Sequence, residues 1–354
     1  MSRYFSSNYS TLTPYTPGEQ PQNRQYVKLN TNESPFPPSE KAVQYACEAA
    51  RNLQLYSDPE CRDLRKKLAE HYGVDVDEVI INNGSDETLN FAFMAFCDKK
   101  RPAYFPNISY GFYPVFAAVN DLPYTEIPLR DDFSINVDDY IGLNGFIVIA
   151  NPNAPTGIAL GLDDIEKIAA GNPDGVVVVD EAYVDFGARS AVPLIHKYDN
   201  LLVAQTFSKS RSMAGARLGF GIGCKELIRD LNTIRYSTNP YNINRMTLAA
   251  GIGSLEDDEY MKANCRTVME NREYTAAELE KLGFSVLPSS ANFIFVKHPS
   301  IDGKEMYLTL KENGILIHHF DKPALCQYNR VTIGAKEQMD ALIAAIKKLW
   351  GDKL

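Results

Sequence analysis

Four short apolar runs in this chain are each followed at once by residues that can do chemistry. EVIIN leads into NGSDE (83–87), GFIVIA into NPNAPTG (151–157), GVVVV into DEAY (180–183), and NLLVAQ into TFSKSRSMAGAR (206–217). Runs this short and this apolar are how strands covered on both faces are written, and in an open α/β sheet ligands bind beyond the carboxyl ends of the strands. Each cluster also has an ordinary reading taken alone: NGSD as a helix N-cap, Asp180-Glu181 as a cap or loop, Lys209 as a solvated lysine. Gathered at one sheet edge they make a set. Ser85 and Asp86 open a helix whose free N–H groups suit a phosphate monoester, Thr206 and Ser208 add donors, Arg217 adds a guanidinium, Asp180 an acid and Lys209 an amine.

That inventory matches the needs of pyridoxal 5'-phosphate: an anion cradle, an amine for its aldehyde, an acid facing its ring nitrogen and a donor at its ring phenolate. Lys209 is expected to hold the cofactor as a Schiff base and, once displaced by the amine of a substrate, to move a proton as a free base. Asp180 is expected to keep the ring nitrogen protonated. Tyr183 is the candidate donor to the phenolate, and Tyr110, in PNISYGFY, the candidate ring to stack on the pyridine. GFGIG (219–223) has GxGxG spacing where a dinucleotide site requires GxGxxG, and no acidic strand end follows at the right distance. The five histidines show no metal-ligand spacing, so no metal is expected.

The elements that must position these groups read as alternating strand and helix. KAVQYACEAARNL, RDLRKKLAEHYG and DETLNFAFMAF have helical patterns, and with the apolar runs they predict an α/β fold with a mostly parallel central sheet flanked by helices. Pro-rich text before residue 31 predicts an irregular arm (1–30) packing on a small domain and the active site. A large cofactor-binding domain is expected over 31–249. After about 250, long charged helices, the candidate strands FSVLPSSANFIFVK, NGILIHH and NRVTIG, and a closing amphipathic helix predict a smaller α+β domain over 250–354. A chain of 354 residues with 45% hydrophobic residues can bury such cores. The net charge of −9 argues against nucleic acid and anionic membranes as partners and leaves small molecules. Six scattered cysteines fit a reducing cytoplasm, and no targeting or membrane segment is read.

An ordered series of segments resembles a known family. PYTPGEQP, KLNTNESPFPPS, LYSDPECRDLRKKLAEHYG, NNGSDE, NPNAPTG, VVVDEAYVDF, TFSKSRSMAGARLGFGIG, SSANFIFVK and NRVTIGAKEQMDAL are similar to the fold-type-I, class-II pyridoxal-phosphate-dependent aminotransferases, and within them to the branch acting on histidinol phosphate in histidine biosynthesis. The resemblance implies Lys209 as the Schiff-base lysine, Asp180 at the pyridine nitrogen and Tyr183 at the phenolate. It implies Ser85, Asp86, Ser208 and Arg217 around the cofactor phosphate, with Tyr110 stacked on the ring. Tyr56 matches a tyrosine that reaches the same phosphate across a homodimer interface, so two shared sites are implied. Arg330 matches the arginine that binds the acid group of the substrate, while Tyr15 and Asn32 match positions that close over it.

Two positions depart from the family pattern. Ala154 stands where the family has Asn against the phenolate, so either Asn153 reaches in or Tyr183 serves alone. His318 stands beside the substrate acid group where the family has Arg. The expected reaction is transfer of the amino group of L-histidinol phosphate to 2-oxoglutarate. Aromatic amino-acid transamination and threonine-phosphate decarboxylation are the alternatives on the same scaffold. A transcriptional regulator is not expected, because the resemblance begins near residue 10 and leaves no room for a DNA-binding module.

Overall fold

The computed structural model describes residues 2–10 and 12–353. Strands Val79–Asn82 (β1), Ala103–Pro106 (β2), Tyr124–Ile127 (β3), Phe146–Ala150 (β4), Val177–Asp180 (β5), Leu201–Thr206 (β6) and Gly219–Gly223 (β7) form one seven-stranded sheet, in the order β1-β7-β6-β5-β4-β2-β3. Neighbours from β6 to β3 are parallel, and β7 alone runs against both β6 and β1. The carboxyl ends of β1, β4, β5 and β6 therefore fall at one edge, as the sequence predicts.

Alternation along the buried strands divides the core in two. Ile147, Ile149, Val177, Val179, Leu201 and Val203 pack into one apolar cluster, whereas Val148, Val178, Leu202 and Ala204 pack into another on the opposite face. Each fully buried Val, Leu or Ile contributes about 1.5–3 kcal/mol, so the sheet is a rigid platform for whatever its edge carries. The glycines of β7 have a packing reason. A Cβ on Gly219 would strike the backbone of Gly84 and Ser85, and one on Gly221 would lie 3.0 Å from Thr88 Cγ2. The strand lacks side chains there so that the helix Ser85–Phe96 can lie against it.

A second, antiparallel sheet orders His318–His319 (β10), Asn329–Thr332 (β11), Phe293–Lys297 (β9) and Ser285–Val286 (β8) side by side. It packs with helices Asp258–Lys281, Gly303–Glu312 and Lys336–Trp350 around Leu279, Ile294, Val296, Val331, Leu342 and Ile346. NGILIHH does not form one strand. Ile315–Leu316 pairs in parallel with Val27–Lys28 of the arm, and the chain then turns to join β11 through His318–His319. FSVLPSSANFIFVK likewise divides into β8 and β9.

The arm is tied to this sheet. Glu19 pairs with Lys311 and accepts from Tyr307, Asn30 Nδ2 donates to Glu19 O (2.8 Å), and Thr332 N donates to Leu29 O (3.0 Å). Among the described residues no helix is long and apolar enough to cross a membrane.

Candidate active site

A cavity of about 470 Å³ opens at the carboxyl edge of the large sheet, lined by Ser85, Asp86, Tyr110, Asp180, Tyr183, Thr206, Ser208, Lys209 and Arg217 among others. Strand ends deliver most of them. β5 ends on Asp180, which is buried at 5% exposure. Its Oδ2 accepts from Tyr113 Oη at 2.8 Å and its Oδ1 from Ala182 N at 3.3 Å. Burial raises the Asp180 carboxyl to about 6, against the opposing pull of the Tyr113 hydrogen bond. β6 leads through Thr206 and Ser208, whose hydroxyls are hydrogen-bonded at 2.9 Å, to Lys209. Lys209 Nζ donates to Thr31 O at 3.4 Å and lies 5.6 Å from the centre of the Tyr183 ring.

The anion cradle forms where β1 meets the helix Ser85–Phe96. Gly84, the N-cap, has φ +77° and makes no side-chain cap, so the first N–H groups of the helix are open to a ligand. Arg217 lies against the same turn: a Cβ at Gly84 would sit 2.6 Å from its Nη2. Arg217 itself holds left-handed backbone at φ 53°, which costs a non-glycine residue about 1–2 kcal/mol. Its guanidinium bonds Asp86 Oδ2 at 3.1 Å, and Tyr110 Oη donates to Asp86 Oδ1 at 2.9 Å. The Arg217 side chain remains 46% exposed although it lines the cavity.

A second chamber of about 360 Å³ adjoins the first, lined by Tyr15, Asn32, Ser109, His318, Phe320 and Arg330 among others. Thr31, Tyr110, Ala154, Tyr183 and Lys209 line both and form the common wall. Asn32 Nδ2 donates to Tyr183 Oη at 3.0 Å, and Asn32 Oδ1 accepts from Thr332 Oγ1 at 2.9 Å. Arg330 donates through Nη2 to Asn30 O at 3.0 Å, while its buried Nε has no partner. The guanidinium lies between Phe293 and Phe320 at 5.4 and 5.8 Å, forms no ion pair among the described residues, and is lowered from its ordinary pKa by burial. Burial, with Arg330 close by, also brings the His318 imidazole down to about 4.

The fold thus brings together every sequence-predicted site residue except two. Asn153 does not face either chamber. Its Nδ2 donates to Ile108 O and Thr156 Oγ1, both at 3.0 Å, and its Oδ1 accepts from Ser109 Oγ at 2.8 Å. Of the two alternatives for the phenolate, this arrangement favours Tyr183, because both Asn153 amide N–H groups hold the loop after β4 and Ala154 lines the wall. Tyr56 lies outside the cavities of its own chain, 78% exposed and stacked on Tyr241 at 4.7 Å. Sequence reasoning missed Tyr113, whose place at the start of the helix Tyr113–Val119 looks like ordinary core. It also missed the Thr31 carbonyl, which no side-chain pattern signals.

The family model described as aminotransferase class I and II matches residues 24–346. A histidinol-phosphate aminotransferase of Brachyspira hyodysenteriae is 49% identical over 349 residues, covering 98% of this chain and 99% of that one. A histidinol-phosphate aminotransferase of a Marinomonas species is also 49% identical, over 99% of this chain and all of its own. Among solved structures, the histidinol-phosphate aminotransferase of Sinorhizobium meliloti in complex with pyridoxal-5'-phosphate shares the fold, with a TM-score of 0.90 at 24% identity, over 100% of this chain and 99% of that one. A family match spanning most of the sequence, joined to full-length relatives near half identity, means that the chain belongs to the aminotransferase class I and II family.

Proposed function

We propose that this enzyme uses pyridoxal 5'-phosphate to transfer the amino group of L-histidinol phosphate to 2-oxoglutarate, giving imidazole acetol phosphate and L-glutamate. One observation carries the reading: Lys209 stands on the wall common to two chambers, one ending in Asp180 and an anion cradle, the other in Arg330 with most of its N–H groups free. The names of the full-length relatives support the substrate, and the pyridoxal-5'-phosphate complex of the Sinorhizobium meliloti enzyme supports the cofactor.

The residues present fit that cofactor. The glycine-lined turn at Gly84, with the helix start behind it and Arg217 across it, suits a phosphate monoester. Ser85, Asp86, Thr206, Ser208 and Arg217 would hold that end, Tyr110 would cover the ring, and Tyr183 would meet its phenolate without help from Asn153. Bound there, pyridoxal phosphate supplies an aldehyde for amines and a ring that accepts the electron pair left when a substrate Cα–H bond breaks.

The remaining work falls to side chains. Lys209 anchors the group through its amine and, when free, carries the proton from the substrate Cα. Asp180, costly to ionise where it lies, would be stabilised as an anion by a protonated ring nitrogen and would hold that proton in place. Asn32 orients the Tyr183 hydroxyl. Arg330 offers a planar fork to a phosphate in one half-reaction and a carboxylate in the other, and Tyr15, from the arm, closes the chamber over either.

We further read the working form as a homodimer in the cytoplasm. Arg217 is half exposed at the cradle while Tyr56 projects into solvent, so a second copy that brings its Tyr56 to this Arg217 would complete both sites. Six cysteines without a disulfide suit a reducing compartment. The boundary between large and small domains is put at 249/250, with the arm ending at residue 30. Rapid mixing with L-histidinol phosphate, phenylalanine and threonine phosphate tests the substrate: histidinol phosphate should bleach the visible cofactor band fastest and leave pyridoxamine phosphate. If it leaves the band untouched, the reading is wrong.

A further inference from the structure

The outer chamber holds more unused donors than one arginine. His318 of β10 is the register partner of Arg330 of β11, and directly opposed residues on an antiparallel ladder share a face. Both line the same chamber. Arg330 engages one of its N–H groups, and neither ring nitrogen of His318 makes a hydrogen bond among the described residues. The imidazole instead rests edge-on against Phe320 at 4.5 Å. Unpartnered polar groups on a half-buried pair of basic side chains, one of them the fully buried Arg330 Nε, describe an anion site that waits for its ligand.

The charge of that site is not fixed. The groups around His318 are Arg330 on β11, His319 beside it on β10, Lys322 from the loop that follows, Lys209 on the far wall, and Tyr15 and Glu19 from the arm. Glu19 is already committed to Lys311 and Tyr307 of the helix Gly303–Glu312. Without a ligand, His318 adds no charge to those of Arg330 and of the lining lysines Lys209 and Lys322. Burial and Arg330 hold the empty-state imidazole at about 4; an adjacent negative charge favours its protonated form, and a dianion does so more strongly than a monoanion at the same place.

We propose that His318 is a proton-linked specificity residue, which takes a proton from solvent when a phosphate monoester docks beside Arg330 and stays neutral when a carboxylate docks there. The pocket thereby presents one more positive charge to a dianion than to a monoanion, and the proton returns to solvent when the phosphate leaves. This rests on the reading that one chamber serves the acid groups of both substrates.

Calorimetry on the holoenzyme near neutral pH, in two buffers of different ionisation enthalpy, tests it. Sulfate and methanesulfonate are the probes, because neither exchanges a proton itself in that range. Sulfate binding should take up close to one proton and methanesulfonate close to none. His318→Gln should bind sulfate about tenfold more weakly and without proton uptake, and His318→Arg should restore the affinity, again without uptake. In turnover, His318→Gln should raise KM for L-histidinol phosphate about tenfold and leave KM for 2-oxoglutarate within about twofold. Sulfate binding without proton uptake, or uptake unchanged in His318→Gln, overturns the proposal. If histidinol phosphate is used but sulfate carries no proton, this inference fails by itself. If sulfate carries the proton but histidinol phosphate is not a substrate, the anion pocket stands and the assignment of the donor falls.

Discussion

In the inner chamber the polar side chains are already engaged: Asp180 with Tyr113, Asp86 with Arg217 and Tyr110, Thr206 with Ser208. In the outer chamber Arg330 and His318 keep most of their donors free, and much of the lining around them comes from the arm, a two-residue strand and loops. The contrast follows the tenancy of each space. A group that stays through every turnover is best met by a network fixed in advance, which costs nothing to reorganise. A site whose occupant alternates between two acids gains by leaving donors uncommitted, and it bears the cost as unpaired buried charge in the empty state.

Substitutions on the two sides should therefore fail differently. The largest loss is expected on the shared wall. Lys209→Ala should lower turnover by several orders of magnitude, as removal of a covalent anchor and base implies, and borohydride followed by mass spectrometry should find the cofactor mass on wild-type protein and none on the variant. A turnover within tenfold of wild type would dissolve the division into two chambers altogether. Next comes the outer side, where Arg330→Met should lower kcat/KM about 10²–10³-fold for both substrates, the loss of a charge-assisted fork. The same change removes a buried guanidinium without a counter-ion, so Tm should rise by about 2 °C. A fall in Tm would mean that Arg330 is structural.

On the inner side Tyr113→Phe should be milder, about tenfold in kcat, because it only unfastens Asp180. The hydrogen bond lowers the Asp180 pKa, so its loss should move the acid limb of the rate profile to higher pH. Linkage gives a second reading. A carboxyl raised by folding binds its proton more tightly in the folded state, so its contribution to stability is complete below about 4 and is lost as pH rises through about 6. The cofactor-free variant should consequently lose more Tm than wild type between mildly acidic and mildly alkaline buffer, and an equal loss would remove Tyr113 from the network. The smallest effect is expected at Tyr56→Phe, a hydroxyl at the rim, with cofactor affinity weakened about fivefold in equilibrium dialysis. No change there would count against a second copy completing the cradle.

Much of the inner chamber was legible because apolar runs announce buried strands, and whatever follows such a strand in a parallel sheet lies at its ligand edge. Asp180, Lys209, Ser85 and Arg217 were found that way. Side chains that face inward from a helix were not: Tyr113 reads as core until the fold sets its hydroxyl against Asp180. Neither was the fate of Asn153, since an amide in a loop can turn to a ligand or to its own backbone, and only the path of the loop decides. β2 and β3 escaped notice because AYFP and YTEI carry no long apolar run. The family likeness pointed to His318 and Arg330, but that they sit opposite each other depends on a strand pairing across the nine residues 320–328, which no local pattern encodes.

The stretch from Asn30 to Asn32 touches the whole apparatus at once. Asn30 O receives Arg330, Thr31 O receives Lys209, and Asn32 holds Tyr183, while Val27–Lys28 just before them is paired to Ile315–Leu316. Three fixtures thus share one datum, and a shift that re-aims the arginine will be felt at the lysine. Selection for a new amino donor should for that reason bypass this stretch and accumulate changes first at Tyr15, His318 and Phe320, the lining residues that can vary without disturbing the common reference.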